Sequence, residues 1–423
     1  MAKATRTKKV IKPADLNKVE RWESKYKNPP LDFYVPPVST WNATAVASAL
    51  SSHERGQFNL SGKLSDALGR DERVDSVLNT RVLGVLGLPF RWIWPDGYTP
   101  TKEDEAALKA TKSVWPTFVN NSILATILRN VVMMGFNVCN VHWDKTDNMW
   151  LPKISPFHPS NIQFNTAEWR YLAYTQSDGT LVVNPEGPNW MVFSELDCRQ
   201  PWMQGKVRSV GLPWIQKNFA LGDWRALSAA HGMPIRKLKM PVESGTPPEQ
   251  DPQQFIQDIA TSARVGAPVL LSNGSDLELM EIKNNSSELF KDAIDQANTA
   301  IAIAILGQNL AVEVKGASLA ATRAHLQILQ EYLEADCAML SQTFFNQLLQ
   351  SFYTINFGPE VVVPQPIWDA KPPEDLEYQN KALREHALAI KDISTALEGL
   401  KNLAPQADLN KLLEMFKIPL INQ

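Results

Sequence analysis

The stretch GLPWIQKNFALGDWRALSAAHGMPIRKLKM, residues 211–240, indicates the architecture of this chain more clearly than any other. Pro213 suits the first position of a helix, and Gly232 followed by Pro234 supplies a stop, so we predict a helix over residues 213–232. Its apolar residues mark two faces: Ile215, Phe219, Ala226 and Ala230 on one, Trp214, Leu221, Trp224 and Leu227 on the other. A helix that is apolar on two sides needs neighbours on two sides.

A second long helix follows after a mixed insert. The run SSELFKDAIDQANTAIAIAIL predicts a helix over residues 286–306, with Ser286 or Ser287 as its cap and Gly307 at its end. The insert, residues 233–285, contains the basic strand IRKLKM and a hairpin predicted from PVLLS and DLELMEI. Two long helices that flank a small α/β insert predict one antiparallel unit.

The preceding region, residues 41–212, mixes the periods of helices and strands. Helices are predicted from Asp71 to Gly87 and from Lys102 to Met134. Strands are predicted at residues 90–94, 136–143, 162–164, 171–175, 181–183 and 190–193. The class is therefore α+β, with helices beside a largely antiparallel sheet.

The ends of the chain have a different texture. Residues 1–40 are basic and poor in apolar residues, which predicts a mobile arm. Residues 307–317 have no clear period, and a helix is predicted from Ser318 to about Phe352, roughly 50 Å long. A closing strand falls within the remainder of residues 318–370, and residues 371–423 predict a helical tail.

The composition excludes several classes of protein. The chain of 423 residues has 42 Lys+Arg against 45 Asp+Glu, a net charge of -3, and 44% hydrophobic residues, which excludes a disordered acidic chain and a histone-like basic one. Three cysteines cannot make a disulfide framework, so we expect a reducing compartment. No apolar run approaches the roughly 18 residues of a membrane span, and the basic start is not followed by the apolar segment of a signal peptide. We expect synthesis in the cytoplasm and no membrane partner.

No motif requires catalysis. The run from Gly56 to Leu64 resembles a phosphate-binding loop, but it has five residues between its glycines, and Leu64 replaces the hydroxyl that binds Mg²⁺. Cys139 and His142 should point to opposite faces of a strand, and no second pair completes a metal site. We therefore predict no enzyme activity, no catalytic residue, no metal and no cofactor.

Three segments together resemble the portal proteins of tailed bacteriophages, specifically the Mu-like branch. They are DERVDSVLNTRVLGVLGLPFRW at residues 71–92, the stretch at 211–240, and AIAIAILGQNLAVEVKGASLAATRAH at 300–325. The resemblance covers about residues 45–360. That family's loop commonly reads Leu-Thr-Thr before its acidic residue, whereas here Leu310-Ala311-Val312 precedes Glu313.

The resemblance implies a ring of twelve subunits at one capsid vertex of the virion, through which double-stranded DNA is packaged and ejected. Implied partners are the major capsid protein, the scaffold, the terminase large subunit and the head–tail adaptor. The implied parts are an arm (1–40), an α+β wing (41–212), a first stem helix (213–232), a clip (233–285), a second stem helix (286–306), a tunnel loop (307–317), a long helix with a wing strand (318–370) and a crown (371–423).

Two sets of residues are the candidate sites. The first is expected to face DNA: Glu288, Asp292, Asp295, Gln308, Glu313 and Lys315. The second, on the clip strand, is expected to bind the packaging motor and the adaptor: Arg236, Lys237 and Lys239. A net charge of -3 per subunit fits a pore that DNA must pass without sticking. Two alternatives stay open: another ring-forming connector or scaffold protein of the virion, and, less favoured, a DNA-processing enzyme.

Overall fold

The computed structural model describes residues 16–21, 40–175, 177–194, 200–231, 235–239, 276–280, 286–308 and 319–370. The chain divides into residues 1–368 and residues 369–423. The described residues belong to the first unit apart from Asp369 and Ala370. The predicted crown, residues 371–423, lies outside the described residues.

The helices of the described chain are α1 (Ala43–Glu54), α2 (Asn59–Leu68), α3 (Glu72–Leu86), α4 (Lys102–Phe118), α5 (Asn121–Met134), α6 (Val207–His231), α7 (Ser286–Leu306), α8 (Leu319–Thr343) and α9 (Gln350–Asn356). A π-helical segment, Phe344–Leu349, joins α8 to α9. The predicted long helix therefore continues without a break to Asn356, slightly beyond its expected end near Phe352.

The strands are β1 (Phe90–Ile93), β2 (Phe136–Thr146), β3 (Met149–Pro156), β4 (Ile162–Asn165), β5 (Arg170–Thr175), β6 (Gly179–Val182), β7 (Trp190–Ser194), β8 (Ile235–Lys239), β9 (Asp276–Met280) and β10 (Gln365–Trp368). They form sheets of order β3-β2-β7 and β4-β5-β6 and the pairs β1-β10 and β8-β9. Every described pairing between these strands is antiparallel, as the sequence predicts.

The structure has two helices, α4 and α5, where the sequence predicts one. The run from Lys102 to Met134 breaks after Phe118, and α5 starts anew at Asn121. The Asn120 side chain accepts a hydrogen bond from the Ile123 amide at 3.0 Å, which satisfies an amide that an uninterrupted helix would bond internally. The α5 helix ends at Gly135, whose φ of 82° favours glycine.

The α6 helix begins at Val207, six residues before the predicted start at Pro213. Val207 and Val210 are fully buried, and Pro213 lies inside the helix. A proline costs an interior hydrogen bond. Burial of the two valines offsets that cost and extends the helix backwards.

Helices α1 and α2 are absent from the sequence-based prediction. The run from Gly56 to Leu64 falls in the turn between them and in α2. Gly62 lies against the backbone of Ser160, where a Cβ would come within 2.6 Å of the Ser160 nitrogen. Gly62 therefore permits a close approach of helix to backbone, which is a packing role and not a phosphate-binding one.

The structure describes one segment of the predicted N-terminal arm, residues 16–21. Residues 16–21 lie against the two three-stranded sheets: the Asn17 side chain donates to the Trp143 carbonyl at 3.0 Å and accepts from the Trp143 amide at 2.8 Å. The Val182 amide donates to the Glu20 carbonyl at 2.9 Å, and Leu16 is buried. These contacts fix the segment because they satisfy backbone groups at the edges of both sheets.

Aromatic side chains fill the space between α2, the sheets and the turn before α6. The Phe58 ring lies 4.5 Å from that of Phe136 and 5.8 Å from that of Trp202, and Phe164 lies 4.5 Å from Trp202. This cluster places the start of α6 relative to both sheets. None of the helices in the described ranges is long and apolar enough to cross a membrane.

His53 of α1 is buried beside this cluster. Its Nε2 lies 2.7 Å from the Trp202 carbonyl, which can only accept, and its Nδ1 lies 2.9 Å from the Ser61 hydroxyl. Burial lowers the pKa of His53 from 6.5 to about 4. The unfolded chain therefore binds a proton more readily than the folded chain between these two pH values, and stability falls as the pH falls through that range.

We predict a loss of about 2 kcal/mol in the free energy of unfolding between pH 7.5 and pH 5 from this residue. Urea denaturation at the two pH values measures the loss. The His53→Gln variant should lower the overall stability but flatten this pH dependence. The matched variant at the exposed His142, His142→Gln, should keep the wild-type dependence, and an unchanged slope in His53→Gln would contradict the assignment.

Candidate channel and subunit interface

The α6 and α7 helices pack along each other as an antiparallel pair. Strands β8 and β9, which follow α6 and precede α7, pair in antiparallel register from Ile235 opposite Met280 to Lys239 opposite Asp276. The chain therefore returns to the point where α6 ended, and α7 runs back beside it. The bounds of α7 match the predicted helix at residues 286–306. We call α6 and α7 the helix pair.

One end of the helix pair is buried in the subunit. Trp214 and Ile215 of α6 are buried there, and so are Ile301 and Ile305 of α7. The α3 helix lies against this end, and its Arg73 Nε donates to the Asn298 carbonyl of α7 at 3.2 Å. The sequence predicts two apolar faces on α6, and the structure buries the first residue of each, Ile215 and Trp214, in the subunit's own core.

Lys217 of α6 anchors the pair to the start of α3. Its Nζ lies 2.9 Å from Asp71 Oδ2 and 2.6 Å from Glu72 Oε1, and its side chain is 1% exposed. The hydrogen bond from Lys217 lowers the pKa of Glu72. Asp71 also caps α3 by accepting from the amides of Arg73 and Val74. A buried ammonium needs such partners because desolvation of an unpaired charge is costly.

Arg81 of α3 anchors the other helix of the pair. Its Nε and Nη2 donate to the two carboxylate oxygens of Asp336 in α8 at 2.7 and 2.8 Å, and its Nη1 donates to the Ile305 carbonyl at 3.2 Å. The guanidinium lies 4.7 Å from the ring centroid of Tyr332. Arg81 thus binds the last turn of α7 and the middle of α8 at once. No pattern in the sequence predicts the ion pairs of Lys217 and Arg81.

Both helices of the pair expose large apolar side chains. On α6, Leu212 and Phe219 are seven residues apart and share a face, and Phe219 is 49% exposed. Trp224 is also exposed, on a different face of α6. On α7, Leu289 and Ile303 are 71% and 49% exposed. Exposed apolar side chains of this size on two packed helices are surface that a protein–protein interface can bury.

The three acidic residues predicted on α7 lie on one exposed face. Glu288, Asp292 and Asp295 are four and three residues apart, the spacing of neighbours on a helix surface. This face points away from Ile301, which is buried. We call Glu288, Asp292 and Asp295 the acidic face of α7.

Gln308, one of the residues predicted to face DNA, is buried in the subunit. Its side chain is 3% exposed, because the chain turns at Gly307, with φ of 71°, directly against α8. A Cβ at Gly307 would lie 2.6 Å from Cε2 of Tyr332. Gln308 is therefore part of the interior and not of an open surface. The other two residues predicted for the tunnel loop, Glu313 and Lys315, lie outside the described residues.

The basic residues predicted for partner binding lie on β8. The backbone register places Lys237 opposite Glu278 and Lys239 opposite Asp276, while Arg236 is opposite Leu279. Two of the three predicted binding residues therefore stand opposite an acid in the register. The strand PVLLS, predicted to pair with DLELMEI, lies outside the described residues.

Cys139, His142 and His158, which the sequence raised as possible functional residues, are buried or lie beside protein side chains. Desolvation by burial raises the pKa of the Cys139 thiol, and the exposed His142 lies 3.3 Å from Asp144. His158 accepts from the Ser160 amide at 3.2 Å and lies 3.0 Å from Asp66. No group of three or more His, Cys, Asp or Glu that could hold a metal ion occurs in this part of the chain.

Comparison with known proteins finds a match over most of the chain. The sequence model of the family described as the portal protein of Mu bacteriophage matches residues 63–394. The Mu-like prophage FluMu protein gp29 of Haemophilus influenzae is 23% identical over 369 residues, which are 84% of this chain and 69% of the relative. The portal protein of Escherichia phage Mu is 25% identical over 376 residues, with the same shares of the two chains.

The fold also resembles a solved structure. A chain in the neck of an empty GTA particle, computed with C6 symmetry, superposes with a TM-score of 0.52 at 12% identity. The superposition covers 84% of this chain and 94% of that chain. At this level of identity the likeness concerns the fold alone.

We predict that loss of the Lys217 anchor destabilises the folded subunit. Lys217→Met should lower the free energy of unfolding by about 3 kcal/mol, because it leaves the buried Asp71 carboxylate without its cation. Urea denaturation measures the change. Asp71→Asn in the same chain should restore part of the loss, since the amide oxygen can still cap α3.

The exposed Lys109 of α4 provides the matched control. Lys109→Met should change the free energy of unfolding by less than about 0.5 kcal/mol. A similarly small effect of Lys217→Met would contradict the anchoring role.

Proposed function

The chain belongs to the family of the portal protein of Mu bacteriophage, and on that premise we propose that it forms a ring of twelve subunits at one capsid vertex. Double-stranded DNA passes through the central channel of this ring during packaging and ejection. The observation that carries the proposal is the helix pair, which is buried at one end and exposes both apolar and acidic faces beyond it.

The apolar residues of the helix pair support contacts between subunits. Phe219 and Leu289 are 49% and 71% exposed, and burial of these side chains against a neighbouring subunit would be favourable. In a closed ring each subunit meets one neighbour on each side through different surfaces. Two long helices with apolar faces on different sides satisfy that requirement, and a monomer does not.

The acidic face supports the lining of a channel. DNA carries a dense negative charge, and each contact between a phosphate and a Lys or Arg adds affinity that would slow its passage. Carboxylates repeated around a ring repel the phosphates and keep the duplex from binding the wall. Glu288, Asp292 and Asp295 are therefore proposed to face the DNA, together with Glu313 and Lys315 of the tunnel loop, residues 307–317.

The remaining parts follow the same proposal. Residues 41–212 form the wing, and residues 213–232 and 286–306 the stem. Residues 233–285 form the clip, residues 318–370 the long helix with its wing strand, and residues 371–423 the crown. The clip, with Arg236, Lys237 and Lys239, binds the terminase large subunit during packaging and the head–tail adaptor afterwards. The wing and crown meet the major capsid protein and the scaffold. The protein acts in the virion without catalysis of its own.

We predict that charge at the apolar surface prevents assembly. The double variant Phe219→Asp and Leu289→Asp should remain a monomer, because a carboxylate buried between subunits without a partner is strongly unfavourable. Native mass spectrometry and negative-stain microscopy measure the assembly, and circular dichroism verifies that helix content is kept. Leu60→Asp, at an exposed leucine of α2, is the control and should still form rings. Rings of wild-type size in the double variant would contradict the interface.

We predict that reversal of the acidic face makes the channel retain DNA. The triple variant Glu288→Lys, Asp292→Lys and Asp295→Lys should form rings, bind DNA more tightly and lose packaging efficiency. The gain in affinity should weaken with salt, because it comes from released counterions. The matched control reverses three exposed acids outside the helix pair, Asp96, Glu168 and Glu186. Equal DNA binding and packaging by the two triple variants would refute the lining role.

The clip has a separate test. The triple variant Arg236→Ala, Lys237→Ala and Lys239→Ala should assemble into rings but lose affinity for the terminase large subunit and for the adaptor. Pull-down of each partner by purified rings measures the loss. The exposed Lys109 and Lys153, changed together to Ala, control for the removal of positive charge. Unchanged binding of both partners by the clip variant would contradict this assignment.

A further inference from the structure

Arg81 joins three helices at one point. Its guanidinium forms a bidentate pair with Asp336 of α8, donates to the Ile305 carbonyl of α7 and lies over the Tyr332 ring. Both charged side chains of the pair are almost fully buried, at 1% and 3% exposure. We call Arg81, Ile305, Gly307, Tyr332 and Asp336 the Arg81 junction.

The contacts of the junction need an arginine. The Ile305 carbonyl lies in the last turn of α7, where carbonyls lack partners within the helix and attract a cation. Only the planar guanidinium can form two parallel bonds to a carboxylate, donate a third to a carbonyl and lie over a ring at the same time. A lysine would keep the charge but not this set of bonds.

The junction lies where the chain leaves α7 and far from where α8 begins. Gly307 passes so close to Tyr332 that a Cβ would clash with the ring. Tyr332 is the fourteenth residue of α8, so the start of α8 at Leu319 is roughly 20 Å away along the helix. The chain therefore leaves α7 at the junction, and the first turns of α8 lead back to it.

We infer that Arg81 is a positioning residue for the tunnel loop. By binding the end of α7 to the middle of α8, it sets the place from which residues 309–318 depart and the direction of the helix on which they return. This inference rests on the proposed function for the role of the loop toward DNA. The junction itself is a property of the folded subunit, so it can be tested without DNA.

The test is hydrogen–deuterium exchange on full-length rings, followed in peptides that cover residues 319–331. Arg81→Lys and Asp336→Asn each break the bidentate pair, and each should raise exchange of these amides about tenfold, because the first turns of α8 lose their fixed base. Tyr332→Leu removes the ring contact but keeps the ion pair, and it should give a smaller rise. It serves as the test if both other variants fail to assemble.

Lys217→Met is the matched control, since it breaks another buried ion pair of α3 outside the junction. Its exchange in residues 319–331 should stay within about twofold of wild type. Unchanged exchange in Arg81→Lys and Asp336→Asn, or an equal rise in Lys217→Met, would overturn the positioning role. The same rings are then assayed for DNA retention. A rise in exchange confined to the junction variants, with DNA retention unchanged, would support the junction and contradict the proposed function of the loop.

Discussion

The position of the helix pair depends on two buried cations at α3. Arg81 belongs to α3, and Lys217 reaches the start of α3 from α6. Lys217 and Arg81 are each 1% exposed, and both are paired with carboxylates across the α3 surface. A buried charge is unfavourable unless its partners are held in good geometry, so these contacts tolerate little displacement of α6, α7 or α8 relative to α3. The apolar burial of Trp214, Ile301 and Ile305 holds the helices together, and the charges fix where they lie.

This arrangement explains how one chain can combine a rigid base with exposed apolar helices. The end of the helix pair near α3 belongs to the core of the subunit. The other end has too little chain around it to bury Phe219 and Leu289 within the described structure. In the proposed ring, neighbours on both sides would cover this surface. The near-neutral charge of the chain, -3 in 423 residues, fits the proposed passage of DNA without tight binding.

Local signals in the sequence predict most helices and strands, but they do not predict the ion pairs of Lys217 and Arg81. The bounds of α3 follow from Asp71 and Gly87 and the end of α7 from Gly307, which act within one turn of the helix. The break before α5 and the early start of α6 depend on a cap and on tertiary burial that periodicity does not show. Helix α2 has no clear apolar period, because its buried positions include Ser61 and Gly62.

The candidate site was predictable to the same degree. The acidic face follows from helical spacing alone, and the structure places its three residues together on the surface. Gln308 was assigned to the channel because it follows the helix, but a turn against Tyr332 buries it. Arg81 and Asp336 are 255 residues apart and Lys217 and Asp71 are 146 apart, so no local pattern links them. Asn17 is likewise fixed by contacts 126 residues away, which is why a segment of low apolar content is ordered.

Electron cryomicroscopy of the purified full-length protein tests the central claim most directly. The account predicts a closed ring in which Glu288, Asp292 and Asp295 face the central hole and Phe219 and Leu289 are buried between adjacent subunits. A monomer would contradict it, and so would a ring with the acidic face turned outward or with Phe219 and Leu289 exposed to solvent.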